Sequence, residues 1–182
     1  MTKFKKMFTH EDDLPVLGLD PYIELIQASS SSNTNQEEAK LGLMLLWLSD
    51  YVLDAMDIEL APFGITESKL DLLLLLTLHD VRRATPSAIA ERLGITRASA
   101  TSMIDWLEKR NLVVRNHSKE DRRKIYVSLT DEGRAFVADI LPTYWAACAS
   151  SMVDLEPEER KVFEKLVKKL LKSMQRKLKV ER

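Results

Sequence analysis

Residues 85–115 read TPSAIAERLGITRASATSMIDWLEKRNLVVR, and the punctuation of this stretch decides the fold. Thr85-Pro86 is a helix start, with an N-cap hydroxyl followed by a proline at the first helical position, where no amide is needed. Gly94 stands where a left-handed C-cap belongs. Thr96 caps again only two residues later, so the interval Gly94-Ile95-Thr96 holds nothing longer than a tight turn. The second helix carries Ala100, Ile104 (or Met103) and Leu107 at helical spacing and stops at Asn111, a residue that tolerates the left-handed conformation. Two short helices joined by a Gly-containing turn make a helix-turn-helix.

Downstream, the period changes from helical to alternating. Leu112-Val113-Val114 reads as a strand, and Ile125, Val127 and Leu129 alternate with Tyr126 and Ser128. Between them runs the charged stretch Asn116-His117-Ser118-Lys119-Glu120-Asp121-Arg122-Arg123. Two short strands with a charged tip are too small to stand alone and must pack on the helices before them, as a wing does. Thr130 then caps a long helix expected to run to about Met152, with Pro142 expected to kink or interrupt it. Pro157 begins a last helix in which Val162, Leu166, Leu170, Met174 and Leu178 repeat every four residues, widened by Phe163, Val167 and Leu171. Such a stripe needs a partner surface.

Upstream of the quoted stretch, Thr66 caps a leucine-dense helix to Leu78 that should be buried on most sides. Before it, Asn35 caps a helix with Leu41, Leu45, Leu48, Val52 and Ala55 at helical spacing, ended by Ala61-Pro62-Phe63-Gly64. Asp20-Pro21 is a start for a short helix through Tyr22, Ile23, Leu25 and Ile26, and Ser29–Asn35 (SSSSNTN) is a polar linker. The fold class is therefore mainly α with a small β-wing: a winged helix-turn-helix at 66–130, flanked by N- and C-terminal helices. The scaffold falls at 36–65 and 131–182, and 1–35 is an N-terminal extension and linker.

Composition bounds the function. With 45% hydrophobic and 30% charged residues among 182, the chain is neither disordered nor membrane-spanning, because no apolar run approaches about 18 residues. The basic N-terminus has no apolar stretch behind it and is not a signal peptide, and a single cysteine, Cys148, makes no internal disulfide; a cytoplasmic location is expected. Residues 81–130 hold 11 Lys or Arg against 5 Asp or Glu, a local +6 that leaves −7 on the remainder of a chain whose total is −1. A basic head on an acidic scaffold is suited to nucleic acid. No Gly-rich phosphate loop or nucleophile elbow appears, so no enzyme and no cofactor are expected. His10, His79 and His117 are too widely spaced to form a metal site.

A winged helix reads duplex DNA with its second helix in the major groove and its wing on the adjoining backbone or minor groove. Arg97, Ala98, Ser99, Thr101 and Ser102 lie at the N-terminal, non-core side of the second helix. Short residues there let the helix sit close to the bases, and Arg97 can pair with guanine or phosphate. The amides at the Pro86 helix start suit phosphate as well.

From Pro86 to Gly133 the sequence resembles the MarR family of bacterial transcription regulators. The helix-turn-helix is followed by that family's D-x-R signature and its strand-to-helix tail, here Asp121-Arg122-Arg123-Lys124-Ile125-Tyr126-Val127-Ser128-Leu129-Thr130-Asp131-Glu132-Gly133. The order of the flanking helices extends the resemblance to about residues 36–178. The resemblance implies that Arg123 enters the minor groove, that Asp121 orients it, and that Arg122 belongs to the same wing contact. It implies a homodimer formed through the terminal helices on a pseudo-palindromic operator. It further implies release by a small, often aromatic or phenolic effector, for which Trp47, Tyr51 and His79 are candidate contacts. Ser102 departs from the arginine many members carry there, and Asn111 from a common glycine. Two alternatives stand beside this reading: a winged helix used only for protein contacts, and a redox-sensing regulator of the same family using Cys148.

Overall fold

A computed structural model describes residues 18–78, 84–117 and 124–178 of the chain. The wing tip with Asp121, Arg122 and Arg123, and the effector candidate His79, lie outside them. Helix α1 spans Leu19–Ser29, α2 Gln36–Leu60, α3 Glu67–Leu78, α4 Pro86–Leu93, α5 Arg97–Lys109, α6 Asp131–Ser150 and α7 Pro157–Leu178. Strands β1 (Val113–His117) and β2 (Ile125–Leu129) form an antiparallel hairpin in which Val113 faces Leu129 and His117 faces Ile125. The chain divides into two compact units, residues 1–52 and 53–182, and α2 runs through the boundary.

In the first unit, Gly18 rather than Asp20 occupies the N-cap position of α1, and no side chain caps the helix. Pro21 is accommodated two residues into the helix because amides of the first turn have no intrahelical acceptor to lose. Ser29, read as linker, ends α1 and donates its hydroxyl to Leu25 O at 2.5 Å. Asn35 caps α2 as its side chain predicts, with Oδ1 accepting from the Glu38 amide at 3.2 Å. Tyr22 meets Trp47 edge-on at 5.7 Å between ring centroids, and Tyr51 lies 5.9 Å beyond.

In the second unit the core is assembled from Leu60, Ile65, Leu70, Leu72, Leu73 and Leu76, closed by Ile89, Ile104, Leu107, Leu112, Val113, Val127, Leu129, Val137 and Ile140. The leucine run is buried at Leu70, Leu72, Leu73 and Leu76 and partly buried at Leu74 and Leu75, with an exposed end at Leu78. No side chain in the core is polar or charged among the described residues. A 3-10 turn at Ala61–Phe63, closed by Gly64 at φ 63°, joins α2 to α3. Thr66 precedes α3, but its hydroxyl accepts from Lys69 Nζ. The helix amide of Glu67 instead donates to Asp57 Oδ1 at 2.6 Å, a cap supplied from ten residues upstream.

The hairpin differs from its reading at both ends of β1. Leu112 stands outside the strand because its amide is spent on Leu107 O and its carbonyl on the Thr130 amide. Asn116 and His117, read as loop, are paired with Tyr126 and Ile125, so polarity did not end the strand. Ala84 adds a single-residue bridge to Val127, whose amide donates to Ala84 O at 2.8 Å. Thr130 caps α6 through the Gly133 amide at 2.9 Å. Pro142 does not interrupt α6, which runs continuously to Ser150 with buried Ile140 and Ala147 anchoring both sides of it.

Candidate nucleic-acid interface

The helix-turn-helix is built as its punctuation dictates. Thr85 Oγ1 accepts from the Ala88 amide at 3.2 Å, and Thr96 Oγ1 from the Ser99 amide at 3.0 Å. Gly94 closes α4 at φ 68° and Asn111 follows α5 at φ 58°, both in the left-handed region where glycine and asparagine are favoured. Ala100, Ile104 and Leu107 are fully buried, which turns Arg97, Ala98, Ser99, Thr101 and Ser102 to solvent on the opposite side. The five predicted contacts on this helix therefore share one exposed N-terminal surface.

The electrostatics of that surface are informative. Arg97 occupies the first helical position, where the macrodipole disfavours a cation, and α5 has no acidic residue in its first turn. Among the described residues Arg97 has no ion-pair partner. Among the described residues its charge is thus open to an external anion. Two hydroxyls of the surface are oriented internally: Thr101 Oγ1 donates to Arg97 O at 2.9 Å, and Ser99 Oγ lies 2.8 Å from Thr96 Oγ1. Each retains acceptor capacity, and Thr101 also offers a methyl group. Beside Arg97, an open cleft of about 480 Å³ is lined by Thr85, by Ser87, Ala88 and Glu91 along α4, and by Ile95 in the turn.

The base of the wing is tied to α5 by a residue that the sequence reading passed over. Arg115 donates Nη1 to Glu108 Oε2 and Nη2 to Asp105 Oδ1, both at 2.5 Å, while its amide donates to Glu108 Oε1 at 3.1 Å. Burial acts to lower the Arg115 pKa, but its hydrogen bonds and attraction to Asp105 and Glu108 outweigh that, and the net shift is upward. The signal was present as opposite charges at Asp105, Glu108 and Arg115, but pairing them requires knowing that β1 folds back along α5.

Among the effector candidates, Trp47 is half-buried between Tyr22 and Tyr51, whereas Tyr51 is exposed. Cys148 lies next to Tyr144 on α6. Burial pushes its thiol upward, with Glu67 adding to the rise and the Tyr144 hydrogen bond opposing it. Burial first, and then Cys148, raise the Tyr144 phenol to about 12. No group of three or more His, Cys, Asp or Glu among the described residues is placed to hold a metal, and no helix of those residues is long and apolar enough to cross a membrane.

The fold is shared with known proteins. The family model described as "MarR family" matches residues 68–125. The transcriptional repressor YetL of Bacillus subtilis is 31% identical over 140 residues, which cover 77% of this chain and 84% of YetL. The solved complex of Staphylococcus aureus MepR with DNA superposes with a TM-score of 0.64 at 23% identity, over 72% of this chain and 96% of MepR. A structure of Bordetella bronchiseptica BpsR, whose DNA binding is regulated by 6-hydroxynicotinic acid, does so with a TM-score of 0.63 at 24% identity, over 72% of this chain and 98% of BpsR. The last two speak for the winged-helix fold, YetL and the family model for descent. The chain belongs to the MarR family of non-enzymatic winged helix-turn-helix transcription regulators.

Proposed function

We propose that this regulator is a homodimer that binds a pseudo-palindromic operator in double-stranded DNA and represses transcription until a small aromatic or phenolic ligand releases it. The observation that carries the DNA-binding reading is Arg97, without an ion-pair partner among the described residues, on an α5 surface otherwise made of Ala98, Ser99, Thr101 and Ser102, none of them long enough to hold the helix away from a groove floor. In this reading residues 66–130 form the reading head. The wing residues Asp121, Arg122 and Arg123 supply a second contact, with Arg123 in the minor groove, where the potential is most negative. With Ser102 in place of an arginine, more of the affinity falls to Arg97 and the wing.

Dimerisation is supported by α7. Val162, Leu166, Leu170, Met174 and Leu178 are between 42% and 62% exposed, along a helix that contributes nothing to the buried core. A single head supplies too few contacts for specificity, and two-fold pairing matches a palindromic site. The effector reading is supported by the cluster of Tyr22, Trp47 and Tyr51, whose ring faces and edges suit an aromatic ligand; BpsR, of the same fold, responds to a ligand of that kind. His79 is proposed as a further contact. The released and bound states must differ in ligand affinity for any such control to operate.

The test is a gel shift on the DNA surrounding the protein's own gene, at two salt concentrations. Specific binding that weakens steeply with salt is expected, and failure to retard that DNA in preference to random duplex refutes the reading. Arg97→Ala and Arg123→Ala should each weaken binding and make it less salt-dependent. Addition of phenolic and hydroxylated heteroaromatic acids tests release separately.

A further inference from the structure

Arg110 ends α5, at the opposite end from its exposed reading surface. Its guanidinium reaches across 46 residues of sequence: Nη1 donates to Gly64 O at 2.6 Å and Nη2 to Phe63 O at 3.2 Å. The same group lies 4.7 Å over the Trp106 ring and 5.6 Å from the Phe136 ring centroid, with Lys69 Nζ also over Trp106 at 5.1 Å. Phe63 and Phe136 meet edge to face at 6.4 Å. One planar cation thus joins α5, the 3-10 turn at the end of α2, and α6. Its two acceptors are carbonyls at a helical C-terminus, which the turn itself leaves unsatisfied.

We propose that Arg110 is a positioning residue for DNA reading, fixing the angle of α5 against the turn at Phe63-Gly64 without touching DNA itself. The inference rests on the DNA-reading role of α5 set out above. Arg115 ties α5 to β1 through Asp105 and Glu108, but its other anchors in the core are Ala100, Ile104 and Leu107, and apolar contacts hold a helix at a depth but tolerate small tilts because they are not directional. A fork bonded to two successive carbonyls and stacked on an aromatic ring is directional. The separation from Arg97 to Arg110 corresponds to about 20 Å of helix, so a tilt of about 5° pivoting at Arg110 moves the reading surface by about 1.7 Å. That displacement exceeds the whole distance range of a good hydrogen bond.

The test compares wild type, Arg110→Ala and Arg110→Lys by fluorescence anisotropy, on the duplex flanking the protein's own gene and on random-sequence duplex of equal length. Titrations are run at four salt concentrations and well below the lowest melting temperature. Arg110→Ala should lose about tenfold in affinity for the specific duplex, roughly the cost of one lost base contact. Random duplex should be bound as before, and the slope of log K against log salt should be unchanged. Arg110→Lys keeps the charge but cannot bridge both carbonyls in one plane, so it should recover only part of the preference. It carries the same test if the alanine variant does not fold.

A salt slope reduced by about one would make Arg110 a phosphate contact and overturn the inference. So would equal losses on both duplexes, or a wild-type preference in Arg110→Lys. If wild type itself shows no preference, the DNA-reading role fails first and this inference falls with it.

Discussion

Gly133 is the third residue of α6, and a Cβ built on it would lie 2.0 Å from Leu112 O and 2.9 Å from the Leu112 carbonyl carbon. Ordinary C···O contacts begin near about 3.3 Å, so Gly133→Ala demands about 1.3 Å of separation between α6 and the chain entering β1. Nothing nearby can yield cheaply. Leu112 O accepts from the Thr130 amide at 3.1 Å, and Thr130 Oγ1 donates to Asn111 O at 2.6 Å while capping α6 through the Gly133 amide. Overpacking against backbone costs about 1–3 kcal/mol and disruption of the Leu112 hydrogen bond about 1 kcal/mol more. Against these, alanine gains about 1 kcal/mol of helix propensity over glycine. The balance is a loss of about 1–3 kcal/mol, a fall in Tm of about 2–12 °C for a chain of this size. Circular dichroism melts at one protein concentration measure it. The internal comparison is Gly42→Ala, in the exposed middle of α2 with nothing within 4 Å of the added carbon. That variant should gain about 1 kcal/mol. A Gly133→Ala protein that melts at or above wild type would refute the reasoning.

Four further outcomes are expected. The Glu67 carboxyl is raised by partial burial, then by Asp71 and Asp57, so the folded chain binds its proton more tightly and ionisation costs stability as pH rises through the unfolded and then the folded pKa. Glu67→Gln should therefore melt higher than wild type at pH 7, with the gain vanishing below about pH 4; equal melting at both pH values would contradict this. Replacing Leu166 and Leu170 with glutamate should convert dimers to monomers in analytical ultracentrifugation, and an intact dimer would put the seam elsewhere. Arg115→Ala should speed amide exchange in β1 and β2 more than in α3, because it frees the hairpin from Asp105 and Glu108. Cys148 is exposed on α6, yet partial desolvation raises its thiol, so its alkylation rate should climb as pH rises through and above the ordinary thiol range; fast alkylation already at pH 7 would revive the redox-sensing alternative.

What the sequence by itself determined is local. Caps at Asn35, Thr85, Thr96 and Thr130 and left-handed stops at Gly64, Gly94 and Asn111 are written in single residues, because each satisfies a backbone need within a few positions. Helical periodicity identified the buried face of α5, and with that face inward the exposed positions Arg97, Ala98, Ser99, Thr101 and Ser102 followed directly. Where local signals misled, a distant partner or alternative local bonding had taken over. Asp57 rather than the Thr66 hydroxyl serves the first amide of α3, and α6 continues through Pro142 without interruption. Asn116 and His117 remain in β1 because Tyr126 and Ile125 pair with them.

Tertiary structure alone decided how the reading head is held. Arg115 finds Asp105 and Glu108 only once β1 turns back along α5, Arg110 finds Gly64 only when the core draws two helix ends together, and Gly133 is required only because Leu112 passes beneath it. Each of these depends on proximity between residues far apart in the chain. Patterns of period two or 3.6 report which side of an element is apolar, not which backbone lies against it.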